Sequence, residues 1–304
     1  MTSFLFSGQG SQYNGMGKEF YNEYSDVKQI YNLASDICGF DVAKASFDFS
    51  AEEQSKTNIS QVIIFTLSLA CFEVAKKHLP LPTAVGGHSL GEYSALCAGG
   101  VFSYEKGFEI IKSRANAMAQ APKGAMYAIL KLSPQEVESV CLETEGYVRA
   151  VNYNSPIQTV IAGEEHAAQA AAQKLSDIGG KTVRLAVSGA FHSSLMEQSS
   201  DLFMQSVKDI TFSPCTFDFY NNINGEKMTD FSDMPSYFKK HMISPVRFTN
   251  ELENMKNNGV NTFIELGPSK VLSGLVKRTL TDVNIYNIED LKSLEKTLSS
   301  ISKK

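Results

Sequence analysis

Ser89 sits in Gly87-His88-Ser89-Leu90-Gly91, between the short apolar run Thr83–Gly86 and a stretch that reads as a helix. A serine with glycine two residues away on each side, where strand passes into helix, is the pattern of an exposed nucleophile. The glycines allow a strained, closely packed turn, and the amides at the start of the following helix favour developing negative charge. A tight turn with a solvated hydroxyl carries the same five residues, and chance supplies GxSxG in roughly one chain in ten of this length. The motif therefore needs partners. Of the histidines, His88 adjoins Ser89 and reads as structural, while His78 and His166 lie on polar helical stretches and read as solvated. His192 lies in Ser188-Gly189-Ala190-Phe191-His192-Ser193, a turn between a strand and a helix, where side chains converge on the carboxyl edge of a sheet. A lone histidine is more often structural than catalytic, so this segment alone does not decide.

A cation can be placed beside Ser89 by helix arithmetic. A helix starting near Ser89 and running about ten residues advances roughly 15 Å, and Gly99-Gly100 turns it. A second helix from about Ser103 reaches Arg114 after roughly 17 Å, back at the level of Ser89. On spacing alone, Arg114 is equally a surface cation with a buried stem. Gly8-Gln9-Gly10 invites a nucleotide reading, but Tyr13 stands where a dinucleotide fingerprint needs glycine and Met16 where a P-loop needs lysine, so the segment reads as a tight turn. No metal-binding motif or Cys/His cluster is present, and neither metal nor cofactor is expected.

The elements that must position these residues follow from periodicity. Ser3–Phe6 and Thr83–Gly86 read as buried strands, with helices expected at about 17–38, 57–78, 90–98 and 104–119. Strands alternating with helices and Gly/Pro turns predict an α/β fold with a mainly parallel sheet. From 125 to 188 the order becomes β-α-β-β-α-β, including a helix started by Ser133, Pro134 and Glu136 and an alanine-rich helix ending at glycine. This ferredoxin-like pattern predicts a subdomain inserted into a main domain of 1–124 and 189–304. A helix is expected at 193–207, and the C-terminal LKSLEKTLSSISKK is polar enough to read as a loosely held tail.

Composition narrows the class. The chain has 304 residues, a net charge of −5 and 43% hydrophobic residues, the profile of an enzyme-sized globular protein rather than a nucleic-acid binder. Cysteines at 38, 71, 97, 141 and 215 form no CxxC pair, which predicts reduced thiols and a cytoplasmic setting. The N-terminus carries no signal-peptide pattern, and the apolar stretch Val62–Val74, interrupted by Thr66, Ser68 and Glu73, reads as a core helix rather than a membrane span.

Taken together the motifs resemble the malonyl-CoA:acyl carrier protein acyltransferases almost end to end: GQGSQ (8–12), GHSLGEYSAL (87–96), KSRANAMAQA (112–121), NYNSP (152–156), GAFHS (189–193), SPVRF (244–248) and ELGPSKVLSGLVKR (265–278). The resemblance implies an α/β-hydrolase-like main domain and transfer of malonyl from malonyl-CoA, through an ester on Ser89, to the phosphopantetheine thiol of acyl carrier protein. His192 would act as base and then acid, and the amides of Gln9 and Leu90 would form the oxyanion hole. Arg114 would hold the malonyl carboxylate, Met118 would line the same pocket, and a backbone carbonyl at Arg247 would orient the histidine. Phe191, beside the base, is expected to favour an unbranched acyl group. Two positions depart from the family pattern: Ser7 where proline is common, and Arg247 where glutamine is common. The partners implied are acyl carrier protein and malonyl-CoA, with no nucleic acid or membrane, and a monomer is expected. Docking of an acidic carrier protein would need a basic surface, for which Lys174, Lys181 and Arg184, or Lys270, Lys277 and Arg278, are the candidates.

Three other activities share parts of this pattern. A thioester hydrolase of the same fold would not need Arg114. An ordinary carboxylesterase would need an acid partner and a late histidine. A non-catalytic carrier-protein docking module would not need Ser89, His192 and Arg114 together.

Overall fold

The structure is a computed structural model that describes residues 1–187 and 189–302. Ser188, the last residue of the subdomain expected from the sequence, and Lys303 and Lys304 of the expected tail lie outside the described residues. The strands are β1 (Thr2–Phe6), β2 (Ala84–Gly87), β3 (Ala125–Leu130), β4 (Val148–Ser155), β5 (Gln158–Gly163), β6 (Lys181–Arg184), β7 (Asp218–Phe219), β8 (Thr262–Leu266) and β9 (Asn284–Ile288).

Five of them form a parallel sheet in the order β7-β2-β1-β8-β9, with β1 at its centre. Parallel strands need helices on both faces, and the two-residue side-chain period assigns each face its own core. Phe4 and Phe6 point into the core that holds the helices Thr57–His78, Leu90–Ala98 and Tyr104–Ala119. Leu5 points the other way, into a core built with the helices Phe248–Asn257 and Val271–Thr279. The helix Thr57–His78 is long and apolar enough to cross a membrane by length and composition, yet 83% of its apolar window is buried inside the protein. Its mixed faces fit a helix surrounded by packing partners.

Residues 125–184 fold in the order β-α-β-β-α-β, and their strands make a separate antiparallel sheet ordered β4-β5-β3-β6. Ala125, Tyr127 and Ile129 of β3 pack with the helices Pro134–Leu142 and Glu165–Asp177 in a third core. The alternate residues Met126 and Ala128 face a cleft of about 450 Å³ between the two sheets. Strand β6 stops at Arg184, earlier than KTVRLAV suggests; Leu185 still donates to the Met126 carbonyl, and Ala186 and Val187 turn away to line the cleft.

Three local expectations are corrected. The helix expected at 17–38 is two, Lys18–Glu23 and Ser25–Cys38, because Tyr24 is extended at φ −113°, ψ 120° and ends one helix where it starts the next. The helix expected at 193–207 begins with a single 3₁₀ turn, Ser194–Met196, before Glu197–Val207. The supposed loose tail is a helix, Leu291–Ile301, started by Asp290, whose carboxylate accepts the Ser293 N–H. Leu291, Leu294, Leu298 and Ile301 recur at helical spacing and pack onto the main core, so the polar residues that suggested a tail are the solvated face of an amphipathic helix.

Candidate active site

Ser89 occupies the turn between β2 and the helix Leu90–Ala98 with φ 52° and ψ −103°, a backbone conformation that side chains rarely adopt. The glycines on either side are required by contact rather than by dihedral freedom. A Cβ on Gly91 would overlap the Phe6 carbonyl, and one on Gly87 would overlap the backbone of Gly91. The turn is held from behind by Asn222, 133 residues away: its side-chain oxygen accepts the Ser89 N–H at 2.7 Å, and its NH₂ donates to the Gly87 carbonyl at 2.7 Å and to Glu251 at 2.8 Å. The Asn222 N–H donates to Glu92 at 2.7 Å, and Tyr237 donates to the other oxygen of Glu92 at 2.5 Å. Burial raises the Glu92 carboxyl to about 8 and lifts Glu251 well above the ordinary carboxylate range.

His192 also lies at positive φ, 61°, and its buried ring reaches Ser89 with Nε2 at 2.7 Å from Oγ. Its Nδ1 faces the carbonyl oxygens of His241 at 3.2 Å and Ser244 at 3.1 Å. Carbonyls only accept, so Nδ1 carries the hydrogen and Nε2 presents its lone pair to the serine hydroxyl. The orienting carbonyl expected at Arg247 belongs instead to His241 and Ser244. The Arg247 carbonyl accepts from Glu251 in the first turn of the next helix, and its guanidinium stacks over Tyr153 at 5.0 Å. Burial first, then the nearby cation Arg114, depress His192 to about 3, so its ring is neutral at neutral pH.

Arg114 returns on the helix Tyr104–Ala119, as helix arithmetic requires, with Nη2 3.4 Å from Ser89 Oγ. The side chain is fully buried; Nη1 donates to Gln61 at 2.6 Å, the guanidinium lies 4.9 Å from the Tyr93 ring centre, and among the described residues Nε has no hydrogen-bond partner. Gln61 in turn donates to the Met118 sulfur at 3.2 Å. Among the described residues no carboxylate lies within ion-pair distance of Arg114. A fully buried cation without a carboxylate partner, beside a hydroxyl that lines the cleft, is chemically suited to pair with an anion.

The cleft is lined by Gln9, Ser89, Met118, Phe191 and His192 among others, with Val160 and Leu185 from the antiparallel sheet side. Among the described residues neither the Gln9 nor the Leu90 N–H has an intramolecular acceptor, so both amides remain able to donate to a bound oxyanion. His88, read as structural, pairs with Asn154 at 2.7 Å and also lines the cleft, and burial lowers its basicity. His241, Asn222 and Gln61 escaped the sequence reading. The periodic pattern marked Gln61 only as one polar residue in an apolar helix, and nothing local marked the other two.

Comparison with known proteins identifies the family. The acyl transferase domain family matches residues 3–297. The chain is 35% identical to a malonyl CoA-acyl carrier protein transacylase of Haemophilus influenzae, covering 95% of each chain. The corresponding transacylase of Bacillus subtilis is 32% identical, over 98% of this chain and 96% of its own.

The chain belongs to the malonyl CoA-acyl carrier protein transacylase family.

Solved structures give the same answer. The transacylase of Clostridium perfringens superposes with a TM-score of 0.94 at 34% identity, covering 99% of this chain and 97% of that one. A malonyl-transacylase in complex with a type II PKS acyl-carrier protein superposes at 0.94 with 31% identity, over 98% and 99% of the two chains. Where a transacylase of this family commonly has proline, Ser7 uses the groups that proline lacks: its N–H donates to the Leu266 carbonyl at 3.2 Å and its hydroxyl to Glu265 at 3.3 Å.

Proposed function

We propose that this transacylase moves a malonyl group from malonyl-CoA to the phosphopantetheine thiol of acyl carrier protein through an ester on Ser89. Ser89 Oγ attacks the thioester carbonyl while His192 Nε2 takes its proton. The oxyanion of the tetrahedral intermediate accepts from the Gln9 and Leu90 amides. Collapse breaks the carbon–sulfur bond, and the departing CoA sulfur takes the proton back from His192. The carrier-protein thiol then gives its proton to His192 and attacks the ester, and the same steps in reverse return the proton to Ser89. The observation that carries the choice of acyl group is Arg114, buried without a carboxylate partner 3.4 Å from the nucleophile. Met118 and Phe191 shape the acyl pocket, and the Phe191 ring selects against a branched acyl group.

The reading extends to architecture and setting. The parallel sheet and its helices, 1–124 with 189–304, form an α/β-hydrolase-like catalytic domain, and 125–188 a ferredoxin-like subdomain that roofs the cleft. The protein works as a monomer in the cytoplasm, without cofactor or metal. The candidate basic groups are Lys174, Lys181 and Arg184, or Lys270, Lys277 and Arg278; of these Arg184 itself lines the cleft, as does Val271 next to Lys270. One of the two groups is the surface for an acidic carrier protein, a partner that a relative holds in its solved complex.

Intact mass after mixing with malonyl-CoA tests the reading. The wild type forms a malonyl adduct that holo carrier protein discharges, and Ser89→Ala forms none. Steady release of free malonate without carrier protein makes the protein a hydrolase, and an adduct of full yield on Ser89→Ala moves the nucleophile elsewhere.

A further inference from the structure

The loop that carries Gln9 is compact within itself. Ser11 Oγ donates to the Gly8 carbonyl at 2.7 Å, and the Gly10 N–H donates to the Gln12 side chain at 2.9 Å. On one side Gly8 packs against the His88 carbonyl next to the nucleophile, and a Cβ there would lie 2.5 Å from that oxygen. On its outer side Gly10 has nothing within 4 Å of a Cβ position. Among the described residues, two side-chain hydrogen bonds tie loop 8–13 to another segment, and both reach the C-terminal part of the chain. Ser269 Oγ donates to the Ser11 carbonyl at 2.8 Å, and the Tyr13 hydroxyl donates to Glu289 at 3.0 Å. The same Glu289 oxygen accepts the Ser269 N–H at 2.8 Å, so one buried carboxylate joins both contacts.

Ser269 makes these bonds from a strained backbone, φ 67°, where glycine would sit without cost. A serine kept in a glycine conformation, with its hydroxyl on the neighbouring loop, marks a contact that offsets strain. Burial and the Glu289 carboxylate raise the Tyr13 phenol, so it remains a donor across the working pH range. We infer that Ser269, with Glu289 and Tyr13, is a positioning residue that braces the oxyanion loop and sets the Gln9 amide against Ser89. The inference rests on the reading of Gln9 as an oxyanion donor. Both chemical steps pass through a tetrahedral oxyanion, so loosening the brace slows acylation and discharge alike and leaves ground-state binding of malonyl-CoA nearly unchanged.

The decisive variant is Ser269→Gly, which relieves the strain while removing the hydroxyl. Complete loss of one oxyanion donor costs about 10²–10³-fold in rate, and a displaced one should cost about 10-fold. Single-turnover acylation by malonyl-CoA and discharge to holo carrier protein should both slow by that factor. KM for malonyl-CoA should stay within about twofold, and the thermal midpoint should not fall. Ser269→Ala, which keeps the strained backbone, should show the same slowing with a lower thermal midpoint, and Tyr13→Phe a smaller slowing. Wild-type acylation and discharge rates in Ser269→Gly overturn the brace, and so does a slowing that appears in KM alone. Ser89→Ala run beside them separates the two ideas: an adduct there removes the reading of the site, whereas its absence with unaltered Ser269→Gly kinetics removes only the brace.

Discussion

The two sheets divide the labour at the cleft. The parallel sheet ends in backbone turns, and its carboxyl edge carries the candidate reactive groups: Ser89 at positive φ after β2, the loop proposed to hold the oxyanion after β1 and a buried polar network of Asn222, Glu92 and Glu251 behind them. The antiparallel sheet offers side chains instead of turns, with Met126, Ala128, Asn152, Asn154 and Val160 lining the opposite wall. Parallel strands all deliver their carboxyl ends to one edge, so loop amides and helix N-termini converge there. An antiparallel sheet alternates its ends and instead presents a broad face. Reactivity should therefore respond to changes on the first sheet, and shape selectivity to changes on the second.

The largest expected effect tests the reactive edge. His192→Ala should slow acylation by about 10²–10⁴-fold, the usual range for losing general-base help, measured by single-turnover mass spectrometry. The wild-type ring adds a pH signature. An ordinary histidine titrates near 6.5, whereas His192 is depressed to about 3, so kcat/KM corrected for folded protein should stay flat from pH 7 to pH 5. Over the same interval the unfolded chain takes up a proton that the folded ring refuses, so this group makes stability fall as pH falls from 6.5 toward 3. A rate that titrates near 6.5 would mean that the base is solvated and the polar network does not isolate it.

Arg114→Ala comes next. A charge-assisted hydrogen bond in a partly dry pocket contributes about 1.5–3 kcal/mol, roughly a 10- to 150-fold preference for malonyl- over acetyl-CoA. The variant should lose malonyl transfer while keeping or gaining acetyl transfer, read as the ratio of kcat/KM values. Equal use of both acyl groups by the wild type would take selectivity away from the reactive edge.

The smallest effect belongs to the antiparallel wall. Ala128→Leu pushes three extra carbons into the cleft, and overpacking costs about 1–3 kcal/mol. KM for malonyl-CoA should rise about 5- to 150-fold while the acylation rate at saturation changes little. A fall in the saturated rate with unchanged KM would show that this wall also positions the reacting carbonyl, and the division between the sheets would fail.

Much of the site was legible because its parts are local. The GxSxG turn declares itself within a few residues, and Arg114 could be placed because an α-helix has a fixed rise, whereas the Gly-Gln-Gly loop and the turn carrying His192 were read as site elements only through the resemblance of several motifs in order. The β-α-β-β-α-β order over 125–184 was equally readable from alternating periods and caps. Composition misled only at the C-terminus, where the leucine spacing of Leu291–Ile301 outweighed a polar average.

What the tertiary structure alone decided are the contacts made across the chain. Asn222 reaches Ser89 over 133 residues, Gln61 orients Arg114 over 53, Ser269 reaches Ser11 over 258, and the carbonyls of His241 and Ser244 aim His192 from 49 and 52 residues away. Each pairs a backbone group or a common polar side chain with a partner that no local pattern selects. Backbone carbonyls are chemically identical at every position, so which one faces an imidazole depends on how packed helices and sheet bring remote segments together. The sequence by itself determined the reactive groups and the elements that carry them. Their orientation, and the neutral state of a histidine surrounded by buried groups, arose only when folding removed water from around them.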